Sequence, residues 1–152
     1  MIRNIVWDHL HGYSYPTEVA DTDVAFFDPI GVSEAREKAV EAQLGRLLPD
    51  VRWDVKNQAR VHLWVPEVFG YQVEPLVSTI EGVSTWPETA GAVGVRLSVD
   101  DELEVLAPCG LGDLLGMVHR HNPRRVPKWL FRQRLAQKRI TERWPLVQVI
   151  DK

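Results

Sequence analysis

Asp21-Thr22-Asp23-Val24-Ala25-Phe26-Phe27, closed by Asp28-Pro29, is the stretch on which the fold turns. Asp23 to Phe27 is a short, largely apolar run of the kind that forms a buried strand. It ends at Asp28, because the residue before a proline is pushed away from helical backbone. Two carboxylates stand at its start. Asp21 and Asp23 are two residues apart, so on extended backbone they project to one face with side-chain origins roughly 6.5–7 Å apart. Carboxylates placed that way repel each other unless a cation lies between them. Hard oxygen donors suit Mg²⁺ (or Mn²⁺), which takes one or two carboxylates and completes its shell with substrate phosphates. Acidic pairs near loops are common, so the triplet by itself is weak evidence for a metal and leaves a solvated acidic turn open.

Working outward, Arg3 to Leu10 reads as a short helix with Gly12 as its stop, followed by a polar loop from Tyr13 to Glu18. On the other side Ser33 is a good N-cap, and Glu34 lies in the first turn where a carboxylate favours the helix dipole. Val40, Leu44, Leu47 and Leu48 then recur at helical spacing and predict one buried stripe. Pro49-Asp50 ends that helix. Val51 to Leu63 alternates as a strand, with Val51, Trp53 and Val55 on one face and Arg52, Asp54 and Lys56 on the other. Asp54 then stands where a third carboxylate could join the first two, or where a strand simply meets solvent. Lys56-Asn57-Gln58-Ala59-Arg60-Val61-His62 packs five hydrogen-bonding side chains into seven positions. Lys and Arg hold phosphate oxygens and amides read a base or a ribose hydroxyl; the same run also suits an edge strand protected by charge.

Further along, Pro66 to Glu74 reads as a loop and Pro75 to Glu81 as a weak helix. Trp86-Pro87-Glu88-Thr89 has the form of a helix start. Val93–Leu97 and Leu103–Leu106 flank Asp100-Asp101 as a hairpin. Pro127 opens a last helix that runs to Pro145, before a terminal strand from Leu146 to Ile150. The order predicts one α/β (α+β) domain over residues 1–152, a mixed sheet flanked by helices with a basic C-terminal helix.

Composition narrows the function classes. A hydrophobic fraction of 45% and a charged fraction of 26% are those of an ordinary globular chain. The lone Cys109 excludes an internal disulfide and reads as a small hydrophobe. No apolar run reaches membrane-spanning or signal-peptide length, which predicts a cytoplasmic protein with no membrane partner. The net charge of −3 conceals a division: residues 119–150 hold nine Lys/Arg against Glu142 alone. A basic 120–143 segment invites a nucleic acid or other phosphate-bearing partner, or else pairs with the acidic remainder. His9 and His11 diverge on a helix, and His119 and His121 read as surface residues. No P-loop and no dinucleotide-binding glycine fingerprint occurs.

Several of these segments together resemble the bacterial nucleotidyltransferase-like family, formerly a domain of unknown function. They are Arg3-Asn4-Ile5-Val6-Trp7-Asp8-His9-Leu10-His11-Gly12, Asp21 to Asp28, Val55 to His62, Trp86 to Ala90 with Val93 to Leu97, and Leu106 to Leu114. The resemblance runs from Arg3 to about Ile150. It implies the nucleotidyltransferase fold shared with DNA polymerase beta, and transfer of a nucleoside monophosphate from a nucleoside triphosphate to an acceptor hydroxyl. By position it makes Asp21 and Asp23 the metal ligands and Asp54 the third carboxylate. Arg3, Asn4, Lys56, Asn57, Gln58, Arg60 and His62 then become nucleotide or phosphate contacts. Family members carry a further N-terminal helix and a glycine turn ahead of the Arg-Asn pair, which this sequence, starting at Met1-Ile2, lacks. That departure raises the alternative of a nucleotide-binding or interaction module of the same fold without catalysis.

Overall fold

A computed structural model describes residues 1–151. The first part of the chain runs α1 (Ile2–Leu10), β1 (Thr22–Phe26), α2 (Glu34–Leu47), β2 (Trp53–Asn57) and α3 (Val61–Phe69). The rest runs α4 (Thr79–Ser84), β3 (Gly94–Leu97), β4 (Leu103–Leu106), α5 (Gly112–Leu115), β5 (Val118–Arg120), α6 (Lys128–Lys138), α7 (Ile140–Arg143) and β6 (Gln148–Ile150). The α/β class agrees with the sequence. Where one mixed sheet was expected, the described residues form three two-stranded sheets: β1–β2 parallel, β3–β4 antiparallel and β5–β6 parallel. The chain divides into two compact units, one of Met1 with Val19–Gly82 and one of Ile2–Glu18 with Val83–Lys152.

In the first unit β1 and β2 pair in register from Thr22↔Trp53 to Phe26↔Asn57. Two strands leave the second edge of β2 open, and α2 closes it by an unexpected device. Glu41 accepts the Val55 N–H at 3.1 Å, and Glu37, buried, accepts the Asn57 N–H at 2.7 Å. Four residues of helix rise about as far as two residues of strand, so carboxylates at i and i+4 match alternate strand N–H groups. This corrects the apolar stripe read from the sequence. Leu47 and Leu48 are 75% and 55% exposed, and Glu37 is the buried side chain of α2.

The expected strand from Val51 to Leu63 also ends early, at Asn57. The buried Asn57 amide accepts the Ala59 N–H at 3.1 Å and turns the chain into a single 3₁₀ turn, Gln58–Arg60. The apolar run after it continues as α3, not as strand and loop, and Gly70 at φ +76° stops it in left-handed backbone.

In the second unit the core gathers around Trp7 and Trp144, packed edge to face with centroids 5.4 Å apart. Both indole nitrogens are satisfied: Trp7 Nε1 donates to the Leu114 carbonyl at 2.8 Å and Trp144 Nε1 to Asp8 Oδ1 at 2.7 Å. The expected helix at Trp86 shrinks to one 3₁₀ turn, Thr89–Gly91, with the Thr89 hydroxyl donating to Asp113. The expected last helix breaks at Arg139, whose φ of 47° separates α6 from α7.

His119 and His121 are not surface residues. They are 1% and 5% exposed, because β5 carries His119 inward and both rings lie against Phe131 with centroids 5.3 Å away. His121 keeps a contact to the Val126 carbonyl at 2.6 Å, whereas neither ring nitrogen of His119 has a hydrogen-bond partner among the described residues. Burial pulls His119 down from 6.5 to about 4, with Arg3, Lys138 and Arg134 acting the same way and Glu88 opposing them. The unfolded chain therefore takes up this proton first. Stability from the neutral imidazole is complete above pH 6.5 and is lost as the pH falls toward 4, by up to about 3 kcal/mol. Urea titrations from pH 7.5 to 4.5 are expected to show this loss, and His119→Leu is expected to flatten that part of the curve. An unchanged slope in the variant would assign the acid sensitivity elsewhere.

Candidate functional site

The β1–β2 register sets Asp23 directly opposite Asp54. In a parallel pair such partners project to the same face, and neighbouring strands lie about 4.8 Å apart. The alternate positions turn the other way, and there Val55 is fully buried. One face of the little sheet therefore holds core and the other presents Asp23, Asp54 and Lys56 to solvent. Asp21 lies one residue ahead of β1, where the Thr22 N–H donates to the Arg52 carbonyl at 2.8 Å and carries the pairing up to that point. Asp21 and Asp23 are both exposed.

Lys56 Nζ lies 2.7 Å from Asp54 Oδ1, two residues along the same strand face. Burial alone would lower the Lys56 ammonium, but its bond to Asp54 and the nearby Glu37 and Glu41 raise it above the usual lysine value. The outer face is thus a carboxylate pair with a fixed cation beside one member. Among the described residues no three His, Cys, Asp or Glu side chains are gathered closely enough to hold a metal unaided. The donor set nevertheless fits a hard divalent ion of the Mg²⁺ kind, which needs only one or two carboxylates when phosphate oxygens supply the rest.

The remaining sequence-predicted residues occupy different positions. The Asn57 side chain is completely buried and saturated. It donates to the Asp28 and Gly31 carbonyls at 2.8 and 3.2 Å and accepts the Asp28 and Ala59 N–H groups at 3.0 and 3.1 Å. Gln58 is buried, donates to the Lys56 carbonyl at 3.2 Å, and packs against Gly82, where an added Cβ would collide with its amide. Arg60 is ion-paired with buried Glu37 at 2.6 Å. These three side chains brace the loop that follows β1 and the turn that follows β2. His62 lies half-buried in the first turn of α3, its enclosed Nδ1 without a hydrogen-bond partner among the described residues. Arg3 and Asn4 belong to α1 in the second unit, where the Arg3 guanidinium lies 5.3 and 5.6 Å from the Trp7 and Trp144 rings.

Sequence reasoning overlooked Glu37, Glu41 and Asp28. Asp28 accepts the Ile30 and Gly31 N–H groups, each at 3.0 Å. The Gly31 and Ile30 bonds, with Arg36 nearby, hold its carboxyl below the usual range. The available signal for the two glutamates was their four-residue spacing beside a strand without a second neighbour.

Asp23 and Asp54 thus stand on adjoining parallel strands, with α2 bonded along the free edge of β2. A solved structure described as a CCA-adding enzyme head domain superposes on this chain with a TM-score of 0.81 and 29% sequence identity, over 99% of this chain and 78% of that one. A nucleotidyltransferase family profile matches residues 1–149. The chain belongs to this nucleotidyltransferase family. No curated protein matches it, and no helix among the described residues is long and apolar enough to cross a membrane.

Proposed function

We propose that the chain transfers a nucleoside monophosphate from a nucleoside triphosphate to an acceptor hydroxyl, with the β1–β2 outer face as the reacting site. The observation that carries this reading is the register that opposes Asp23 to Asp54 in a chain of this family. Asp21 and Asp23 would hold a divalent cation, Mg²⁺ or Mn²⁺, whose chemical contribution is to neutralise triphosphate charge. The acceptor oxygen bonds to the α-phosphorus as the bond from that phosphorus to the β-phosphate bridging oxygen breaks, and pyrophosphate leaves. Asp54 takes the acceptor proton, and Lys56, fixed beside it, steadies the charge of the departing phosphates. Asn57, Gln58 and Arg60 act one step removed, by holding the loops around the carboxylates. His62 is proposed as a further nucleotide contact on the strength of its place in the family's motifs.

The test is calorimetric titration of the whole chain with each nucleoside triphosphate, with and without Mg²⁺. Expected is metal-dependent binding that Asp21→Ala/Asp23→Ala loses. Binding indifferent to both metal and mutation would remove the carboxylates from the site. The Lys56–Asp54 ion pair favours a second reading, a nucleotide-binding module in which Asp54 is occupied and no transfer follows. Binding without pyrophosphate release for any acceptor would select it. Relief of the pair gives a further expectation: Lys56→Met should leave folding intact and weaken triphosphate affinity roughly ten-fold, as loss of one charge-assisted phosphate contact does.

A further inference from the structure

We propose that the outward face of α6 binds single-stranded nucleic acid, with Trp129 as the stacking platform for a base. The inner face of this helix is settled by Leu130 and Phe131, which are 5% and 0% exposed, Phe131 lying on both buried histidines. The other side of the same turns is therefore outward. It carries Lys128, Trp129, Arg132, Gln133 and Gln137, all exposed. Positions 128 and 132, and 129, 133 and 137, are stacked at the four-residue spacing that makes neighbours on a helix surface.

The composition of this face selects its partner. Trp129 is 52% exposed, and every other member is a cation or an amide. A protein groove or a lipid surface would reward a continuous apolar stripe, but the outward face offers only Trp129 and the small Ala136, while Leu130 and Phe131 are buried and Leu135 half-buried. A strand of nucleic acid needs what is here: cations spaced along a backbone, a free aromatic face, and amides able to bond sugar or base edges. The sequence around it is biased the same way, since Glu142 is the only acid between residues 119 and 150. Much of that basic charge is committed internally, as Arg120 to Asp113 and Arg134 to Glu88. Arg132 reaches Asp151 at 2.6 Å but remains 63% exposed, so a phosphate can share its guanidinium. The binding face is thus narrower than the whole basic segment. It is a patch of a few residues on one helix, separate from the carboxylates of β1 and β2 in sequence and in role.

The measurement is fluorescence anisotropy of a labelled twelve-nucleotide single-stranded RNA titrated with the whole chain at several salt concentrations. Binding is expected to weaken as salt rises, with a slope set by the phosphates neutralised. Trp129→Ala should reduce affinity roughly ten-fold or more while leaving that slope unchanged, because stacking releases no counterions. Lys128→Ala should reduce affinity and flatten the slope by about 0.7, the value for one single-strand phosphate. All the exchanged side chains are exposed, and triphosphate titration of each variant reports separately on the β1–β2 site. Three results would overturn the proposal: no binding at low salt, wild-type affinity in both variants, or equal binding of a duplex of the same length. Equal, Trp129-dependent binding to anionic lipid vesicles would also overturn it, in favour of a membrane surface.

Discussion

Asp21→Ala/Asp23→Ala is expected to lower nucleotidyl transfer by on the order of a thousand-fold or more while the chain keeps its fold. The argument has two halves. The two carboxylates are exposed and lie at the outer face of a two-stranded sheet, away from the side on which Val55 is buried. Surface substitutions of that kind change stability by about 0.5 kcal/mol or less, and removing both neighbouring like charges abolishes their mutual repulsion. Stability in urea should therefore scarcely move. Activity should collapse, because groups that offset charge developing on a transferring phosphoryl typically contribute several kcal/mol to the barrier alone. Pyrophosphate release measured beside a urea titration separates the two effects. A variant that turns over normally would sink the assignment of Asp21 and Asp23. One that unfolds would mean instead that the pair supports the strand.

Asn57→Ala is expected to act the opposite way, costing about 3–5 kcal/mol of stability. Its side chain makes four hydrogen bonds to main-chain groups of Asp28, Gly31 and Ala59, all from a fully buried position. Alanine leaves the Asp28 and Ala59 N–H groups and two carbonyls without these partners, and each buried donor so abandoned costs about 1–3 kcal/mol. Water admitted to the gap would recover part of that. Asn57→Asp should fare little better, since it loses both donors and puts a carboxylate near Glu37, which already accepts the Asn57 N–H. The measurement is the urea midpoint. A loss below 1 kcal/mol would show that the loop after β1 does not depend on this amide, and would restore Asn57 as a candidate for direct nucleotide contact.

The contrast between Asp23 and Asn57 shows how much of this protein was legible without coordinates. Both lie in segments whose residue order resembles the family's, and both were read as site residues. The strand at Asp23 was readable because the apolar run after it and the Asp28-Pro29 stop are local signals. Asn57 was not, because an amide that closes a loop and an amide that reads a base are the same residue type in the same run. Only the partners distinguish them, and those partners come from 26 to 29 residues earlier in the chain. The same reason explains His119. A histidine between Val118 and Arg120 in a basic stretch looks like surface until β6 pairs with β5 and Phe131 covers the ring. Glu37 follows the pattern, as a helix carboxylate that becomes buried once β2 needs an acceptor.

By itself the sequence determined what depends on neighbours: the α/β class, the β1 strand and the starts of α1, α2 and α6. The motif order that marks the nucleotidyltransferase family was legible there as well. Tertiary structure alone decided that Asp54 faces Asp23, that β2 stops at Asn57, and that Arg60 is tied to a buried acid. Strand propensity and apolar spacing are properties of a few consecutive residues. Which carboxylate meets which, and which polar group is enclosed, depends on pairings across tens of residues, where a shift of one position turns every side chain to the other face.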